Sequence, residues 1–454
     1  MNLQTSAVAR LVIMGLLLLG LLLPLNMVGS VVSERASRRN SVVQEVGSTW
    51  GGFQTIGGPV LVVPYRYTAL DREGKRLLCT ARAFFLPDVL DVKAVMDPQL
   101  LRRGLFEVVV YHAHVSITGR FARPDLSAIR PAPAQPLWEE ATLSIGVADP
   151  RGIAKRVALK WNAADVALVP GVAGIAGIED AGLFTAGLHA AVGGLPLPPA
   201  GDAIGFGVDL DVNGSRDLRF LPLGSDTSLQ MTSTWPHPSF TGAPSPAFRE
   251  TAATGFTGRW NVPYFGRSYP SQWTSVSMDR AQVKSQADAS AIGVSLIQPV
   301  DIYQQGERAV KYAALFIVMT FVVFFLWEIV RSRLLHPIQY AFVGFAMCVF
   351  YLLLLSLSEH LRFDVAYASA AGATTLLIAV YSIYVLGGIR EGTLMGLLLV
   401  VLYGFLYLLL QLEDYALLAG SIGLFAMLAL LMYSTRRINW YELRLGGPAR
   451  RDPA

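Results

Sequence analysis

LVIMGLLLLGLLLPLNMVGSVV, residues 11–32, crosses twenty-two positions without an ionisable side chain. Five further apolar runs follow much later: Tyr312–Val330, Ile338–Leu357, Val365–Gly387, Leu394–Leu412 and Tyr415–Tyr433. Each reaches the roughly 17–25 residues needed to cross a hydrocarbon core about 30 Å thick at 1.5 Å per residue. Glu328 is the one acidic or basic residue inside any of them. It lies one turn from a run's end, where water is expected within reach. Between the first two runs, Glu34 to Arg308 has the texture of an ordinary soluble domain. The mean hydropathy of +0.45 with 15% charged residues fits that mixture. The expected fold is an α+β membrane protein: six transmembrane helices, one N-terminal and five C-terminal, plus a large β-rich domain.

Arginine placement sets the expected orientation, because short cytoplasmic loops concentrate Lys and Arg. In the short loops and tail that follow the second run, Arg331, Arg333, Arg390, Arg436, Arg437, Arg444, Arg450 and Arg451 fall on one side and Arg362 alone on the other. Arg35, Arg38 and Arg39 after the first run point the opposite way, but long translocated domains cross largely regardless of charge. The expectation is a cytoplasmic N-terminus (1–10), an anchor helix (11–32), an external domain (33–308), a five-helix bundle (309–433) and a cytoplasmic tail (434–454). A cleaved signal peptide ending near Val28-Gly29-Ser30 is the alternative for the first run. Its length exceeds the usual 7–15-residue core of such peptides, which favours a retained anchor. Cys79 lies in the external domain and Cys348 in a membrane run, so neither a disulfide framework nor a cysteine metal site is expected. The pI of about 9.0 comes mostly from membrane-flanking arginines and points to anionic lipid rather than nucleic acid.

The external region reads as β. Val109, Tyr111, Ala113, Val115 and Ile117 alternate with His112, His114, Ser116 and Thr118, the period of a half-buried strand. Phe206, Val208, Leu210 and Val212 alternate with Gly207, Asp209, Asp211 and Asn213, and Asn213-Gly214 signals a hairpin. Two β lobes are expected, about 40–165 and 200–300, joined by a Gly/Ala/Pro-rich bridge with a short helix near Leu183–Val192. The first membrane helix is expected to continue between Arg35 and Trp50, with Val42, Val43 and Val46 on one face.

Familiar catalytic motifs are missing: no Gly-x-Ser-x-Gly, no His-Glu-x-x-His, and no Gly-Lys-Ser/Thr. Asp209-x-Asp211-x-Asn213-Gly214 opens like a calcium loop, but Phe220 stands where the bidentate Glu belongs, and the strict alternation favours a solvated strand. His112 and His114 share a strand face, yet two ligands do not make a metal site. No cofactor or metal is expected. Trp235-Pro236-His237-Pro238-Ser239-Phe240 is a rigid loop presenting aromatic, imidazole and hydroxyl groups. Trp235, His237, Ser239 and Phe240 are therefore candidate ligand contacts, set against a purely structural capping role. Glu359, His360, Glu413 and Asp414 lie in turns at the ends of membrane runs. They are candidates for docking the external domain or, alternatively, for an ion path.

These stretches carry a resemblance. Glu45-Val46 … Trp50-Gly51 … Gln54-Thr55-Ile56-Gly57-Gly58-Pro59 … Pro64-Tyr65 is similar to the opening of the CreD family of bacterial inner-membrane proteins. Arg103-Gly104-Leu105-Phe106 … Val110-Tyr111, Asp149-Pro150-Arg151-Gly152-Ile153 and Trp235–Phe240 follow in order. So do Arg308-Ala309-Val310-Lys311-Tyr312, His336-Pro337-Ile338-Gln339-Tyr340, Leu357-Ser358-Glu359-His360, Glu413–Leu418 and Thr435-Arg436-Arg437 … Trp440-Tyr441. The resemblance implies a cell-envelope integrity protein of the inner membrane, in a family linked to a two-component regulon, envelope stress, colicin tolerance and, in some bacteria, β-lactamase expression. It implies no catalytic reaction and supplies no active-site residues. The reading is a non-enzymatic envelope protein whose partners are the lipid bilayer and an unidentified envelope component, with no nucleic acid. A transporter or channel is the first alternative and an envelope enzyme the second.

Overall fold

The computed structural model describes residues 7–70, 75–125, 135–162, 164–172, 183–195, 203–277, 280–298, 302–331, 335–412 and 415–436. The chain divides into two compact units, Ser41–Pro299 and the flanking Met1–Asn40 with Val300–Ala454. Glu413 and Asp414 lie outside the described residues, as do Arg333, Arg437, Arg444, Arg450 and Arg451.

The flanking unit is helical. Helix α1 spans Ala7–Thr49, and α3 to α7 span Ile302–Arg331, Pro337–Ser358, Phe363–Leu386, Ile389–Gln411 and Ala416–Thr435; α2, Arg280–Ala289, belongs to the other unit. Among the described residues six helices are long and apolar enough to cross a membrane. Helix α1 buries Met14, Leu21, Leu25, Val28 and Val32, a spacing of three, four and seven that keeps one stripe turned inward. Close packing rather than apolar transfer holds such helices together, since lipid is as apolar as leucine. Gly344 shows the requirement: a Cβ there would sit 2.2 Å from Leu21 Cδ1. His336 caps α4, accepting from Ile338 N, and Gln339 accepts from His336 N at 2.9 Å, ahead of Pro337 in the first turn.

The Ser41–Pro299 unit holds two sheets over one hydrophobic cluster. In the ten-stranded sheet, Gln54–Leu70 pairs with Arg76–Phe85, Asp217–Phe220 and Thr142–Val147. The eight-stranded sheet runs Phe248–Ala252, Gly255–Pro263, Asp226–Ser233, Val89–Arg103, Phe106–Phe121, Ile204–Ser215, Ala158–Trp161, Ala164–Ala167. Inward residues of both, among them Leu61, Tyr65, Val115, Leu210 and Trp260, share the core. Alternation supplies this: along Ile204–Ser215 the even positions from Ile204 to Val212 are buried and the odd ones are not.

Three local expectations are corrected. The two β layers are not successive segments, because 40–165 and 200–300 contribute strands to both sheets; the parallel pairs Gln54–Leu218 and Val89–Asp226 join them. Gly187–Ala191, expected within a helix, is a strand on Thr142–Val147. Its Leu188 and Ala190 face the core, and Gly187, at φ +154°, lies too close to Ile145 O for a side chain. Asn213-Gly214 makes no hairpin: the strand runs on to Ser215, and Arg216, at φ +57°, passes the chain to the other sheet. Gly214 is there for a different reason, since a Cβ would lie 2.3 Å from the Tyr111 hydroxyl. The continuation of α1 is as expected: Val42, Val43 and Trp50 pack around Val46 with Val108 and Val110.

Candidate functional site

The Trp235–Phe240 loop is tied down at both ends. Trp235 Nε1 donates to Ile297 O at 2.9 Å, and its backbone N–H donates to Ser233 Oγ at 3.2 Å. Ile297 N returns a bond to His237 O at 3.1 Å. Pro238–Thr241 is a strand on Ile292–Leu296, which corrects the expectation that the whole of Trp235–Phe240 is loop. It stands at the end of its sheet's strand order, where a missing N–H costs least. Phe240 meets Phe256 and Trp260 edge-on at 5.9 and 5.8 Å. Trp235 and Phe240 are thus core-packing groups, Ser239 sits in register with Ser295, and His237 is the candidate left exposed.

A second polar group lies on the non-core face of the eight-stranded sheet. His112 pairs across strands with Asn213, and His114 with Asp211. Nδ1 of His112 lies 2.8 Å from Asn213 Oδ1, and Nδ1 of His114 lies 3.0 Å from Asp211 Oδ1. Lys155 Nζ reaches Asp211 Oδ2 at 2.9 Å. The hydrogen bond from Lys155, then that from His114, hold the Asp211 carboxyl below the usual carboxylate range. Asp149 is held low by Arg151, which grips it with two nitrogens. Among the described residues no group of three or more His, Cys, Asp or Glu is arranged to hold a metal ion.

Gln54 is completely buried. Its Nε2 donates to Gly51 O, Asp149 O and Asn213 O at 2.7, 2.9 and 3.2 Å, while Oε1 accepts from Asp149 N at 3.2 Å. One amide thereby joins three backbone segments. Nothing in the sequence pattern marks it, because a glutamine at a strand's start usually faces water.

In the helical unit, Glu328 is 1% exposed, correcting the expectation of nearby water. It forms an ion pair with Arg10, and accepts from Tyr340 Oη at 2.9 Å and Leu335 N at 3.1 Å. The signal was legible: Arg10 opens one apolar run and Glu328 closes the next, so two opposite charges flank the same membrane side. At the other end Tyr303 donates to Glu359 at 3.3 Å, and Arg35 Nε lies 3.8 Å from it. Glu359 is therefore engaged by α1 and α3, while His360 is exposed.

A family model described as "Inner membrane protein CreD" matches residues 6–441. A curated protein of that description from Escherichia coli (strain K12) is 32% identical over 432 residues, 94% of this chain and 92% of the relative.

Proposed function

The chain belongs to the CreD family of inner membrane proteins, and from that premise we propose that it serves cell-envelope integrity and the envelope stress response without catalysing a reaction. In this reading the Ser41–Pro299 unit stands in the periplasm and binds an envelope component. The arginine asymmetry of the short loops and tail carries it: from Arg331 onward eight arginines flank the side assigned to the cytoplasm and one, Arg362, flanks the other.

Two substitutions separate contact from scaffold in the Trp235–Phe240 loop. His237→Ala should leave stability within about 0.5 kcal/mol of the parent, as exposed substitutions usually do. Trp235→Ala removes a packed indole and its bond to Ile297, and should cost about 2 kcal/mol. Growth under envelope-damaging detergent, at matched protein level, reads the function. Loss with His237→Ala assigns the loop to ligand contact; parental growth removes it from the binding surface.

A further inference from the structure

One end of the eight-stranded sheet carries a trough of about 420 Å³, within the size range of small-ligand sites. Buried Met96 and Phe256 line it together with Gly255. Gly255, at φ +136°, allows a backbone approach that a Cβ would block at 2.1 Å from Ser233 O. Its polar groups are all of two kinds. Thr232, Ser233, Thr234, Thr254 and Thr257 bring hydroxyls, and Glu250 brings a carboxylate; no lysine or arginine lines the cavity. Val95, 58% exposed, and Ala252 add methyl surface.

Strand register places four of these groups, Glu250, Thr257, Thr232 and Val95, in a line. Glu250 pairs with Thr257, Thr257 with Thr232, Thr232 with Val95, Val95 with His114, and His114 with Asp211. Residues paired across a sheet point to the same face, and strands stand about 4.8 Å apart, so the row extends for roughly 24 Å. Glu250 has no ionic partner among the described residues. Alternation puts Arg249 on the opposite face of its strand, and Arg259 lies over the Phe248 ring at 5.2 Å.

We propose that this trough, with the row leading from it, is a saccharide-binding site that takes an oligosaccharide laid across the strands. Threonine hydroxyls both donate and accept, matching ring hydroxyls that do the same, while an ionised carboxylate accepts from two neighbouring O–H groups at once. Methyl groups face the C–H surface of a sugar ring. An anionic ligand would meet a carboxylate and no lining cation. A metal ion would find one carboxylate where several charged ligands are required. The proposal deepens the envelope-binding reading by naming a ligand class, and rests on it only for biological context.

The test uses the full-length protein in a detergent without a sugar headgroup, titrated with chitotetraose and with maltotetraose, bound ligand being read by saturation-transfer NMR. At least one should bind with a Kd near or below about 1 mM. Glu250→Gln and the pair Thr232→Val/Thr257→Val should each weaken binding about tenfold, one hydrogen bond's worth. Valine keeps the shape and strand preference of threonine, so unchanged thermal unfolding is expected. Thr232→Ser/Thr257→Ser, which retains the hydroxyls, should bind like the parent. Absence of binding by both oligosaccharides at about 10 mM overturns the assignment, as does equal binding by the parent and the valine pair. Because this readout is independent of membrane orientation, its failure leaves the topology and the envelope role to be judged separately.

Discussion

The helical unit and the β-rich unit each bury a polar hub, and they satisfy it by different means. Glu328 sits among helices as a charge, answered by Arg10, the Tyr340 hydroxyl and the Leu335 N–H. Gln54 sits at the start of a strand as a neutral amide, answered by backbone groups of three segments. A helix completes its backbone hydrogen bonds internally, so side chains must do any joining between helices. Where strands end and loops converge, carbonyls are left over, and one amide can collect them. The comparison teaches where each unit is most vulnerable: a missing charge in one, missing donors in the other.

The largest effect should follow from breaking the ion pair. Glu328→Leu leaves Arg10 without its counter-charge and should destabilise the protein by about 3–5 kcal/mol, seen as lost accumulation in membranes and a lower Tm in micelles. Arg10→Met combined with Glu328→Leu should recover most of that loss, since an apolar pair of similar volume replaces the charges. If the double variant is as damaged as the single, the pair has a role beyond mutual neutralisation. Gln54→Leu comes next, at about 3 kcal/mol, because it abandons buried carbonyls while preserving volume. A cost under about 0.5 kcal/mol would show that the amide merely fills space.

The smallest effect concerns acid. Asp211 and Asp149 have folded pKa values depressed by their partners, so their stabilisation is complete above the unfolded value near 3.9 and fades as pH falls through the lower folded value. Asp211→Asn should reduce stability by less than about 1 kcal/mol at pH 7 and flatten the acid limb of a Tm-versus-pH curve below about pH 4. An unaltered acid limb would remove Asp211 from the linkage.

Legibility in the sequence divides along the same line. Membrane helices announce themselves, since a run such as residues 11–32 has few other uses for so many apolar residues. Strand character was equally plain at Val109–Ile117, where the period of two is unbroken. Partner choice was not, because alternation tells which face is buried but not which strand lies alongside. Hence 40–165 and 200–300 looked like separate lobes although Val89–Met96 runs parallel to Asp226–Ser233. Gly214 misled because glycine marks a turn and a close approach with the same letter. In the Trp235–Phe240 loop, composition identified an unusual segment but not that Trp235 and Phe240 turn inward. The trough was invisible, since Glu250, Thr257 and Thr232 meet only through register.

The side of the membrane on which the β-rich unit stands can be read directly. Thr254→Cys, in a background with Cys79→Ser and Cys348→Ser, offers a single thiol to a membrane-impermeant maleimide applied to spheroplasts. The account predicts labelling of intact spheroplasts, with a cysteine at Arg390 labelled only after lysis. Labelling of Thr254→Cys only after lysis would contradict it and withdraw the proposed periplasmic binding role.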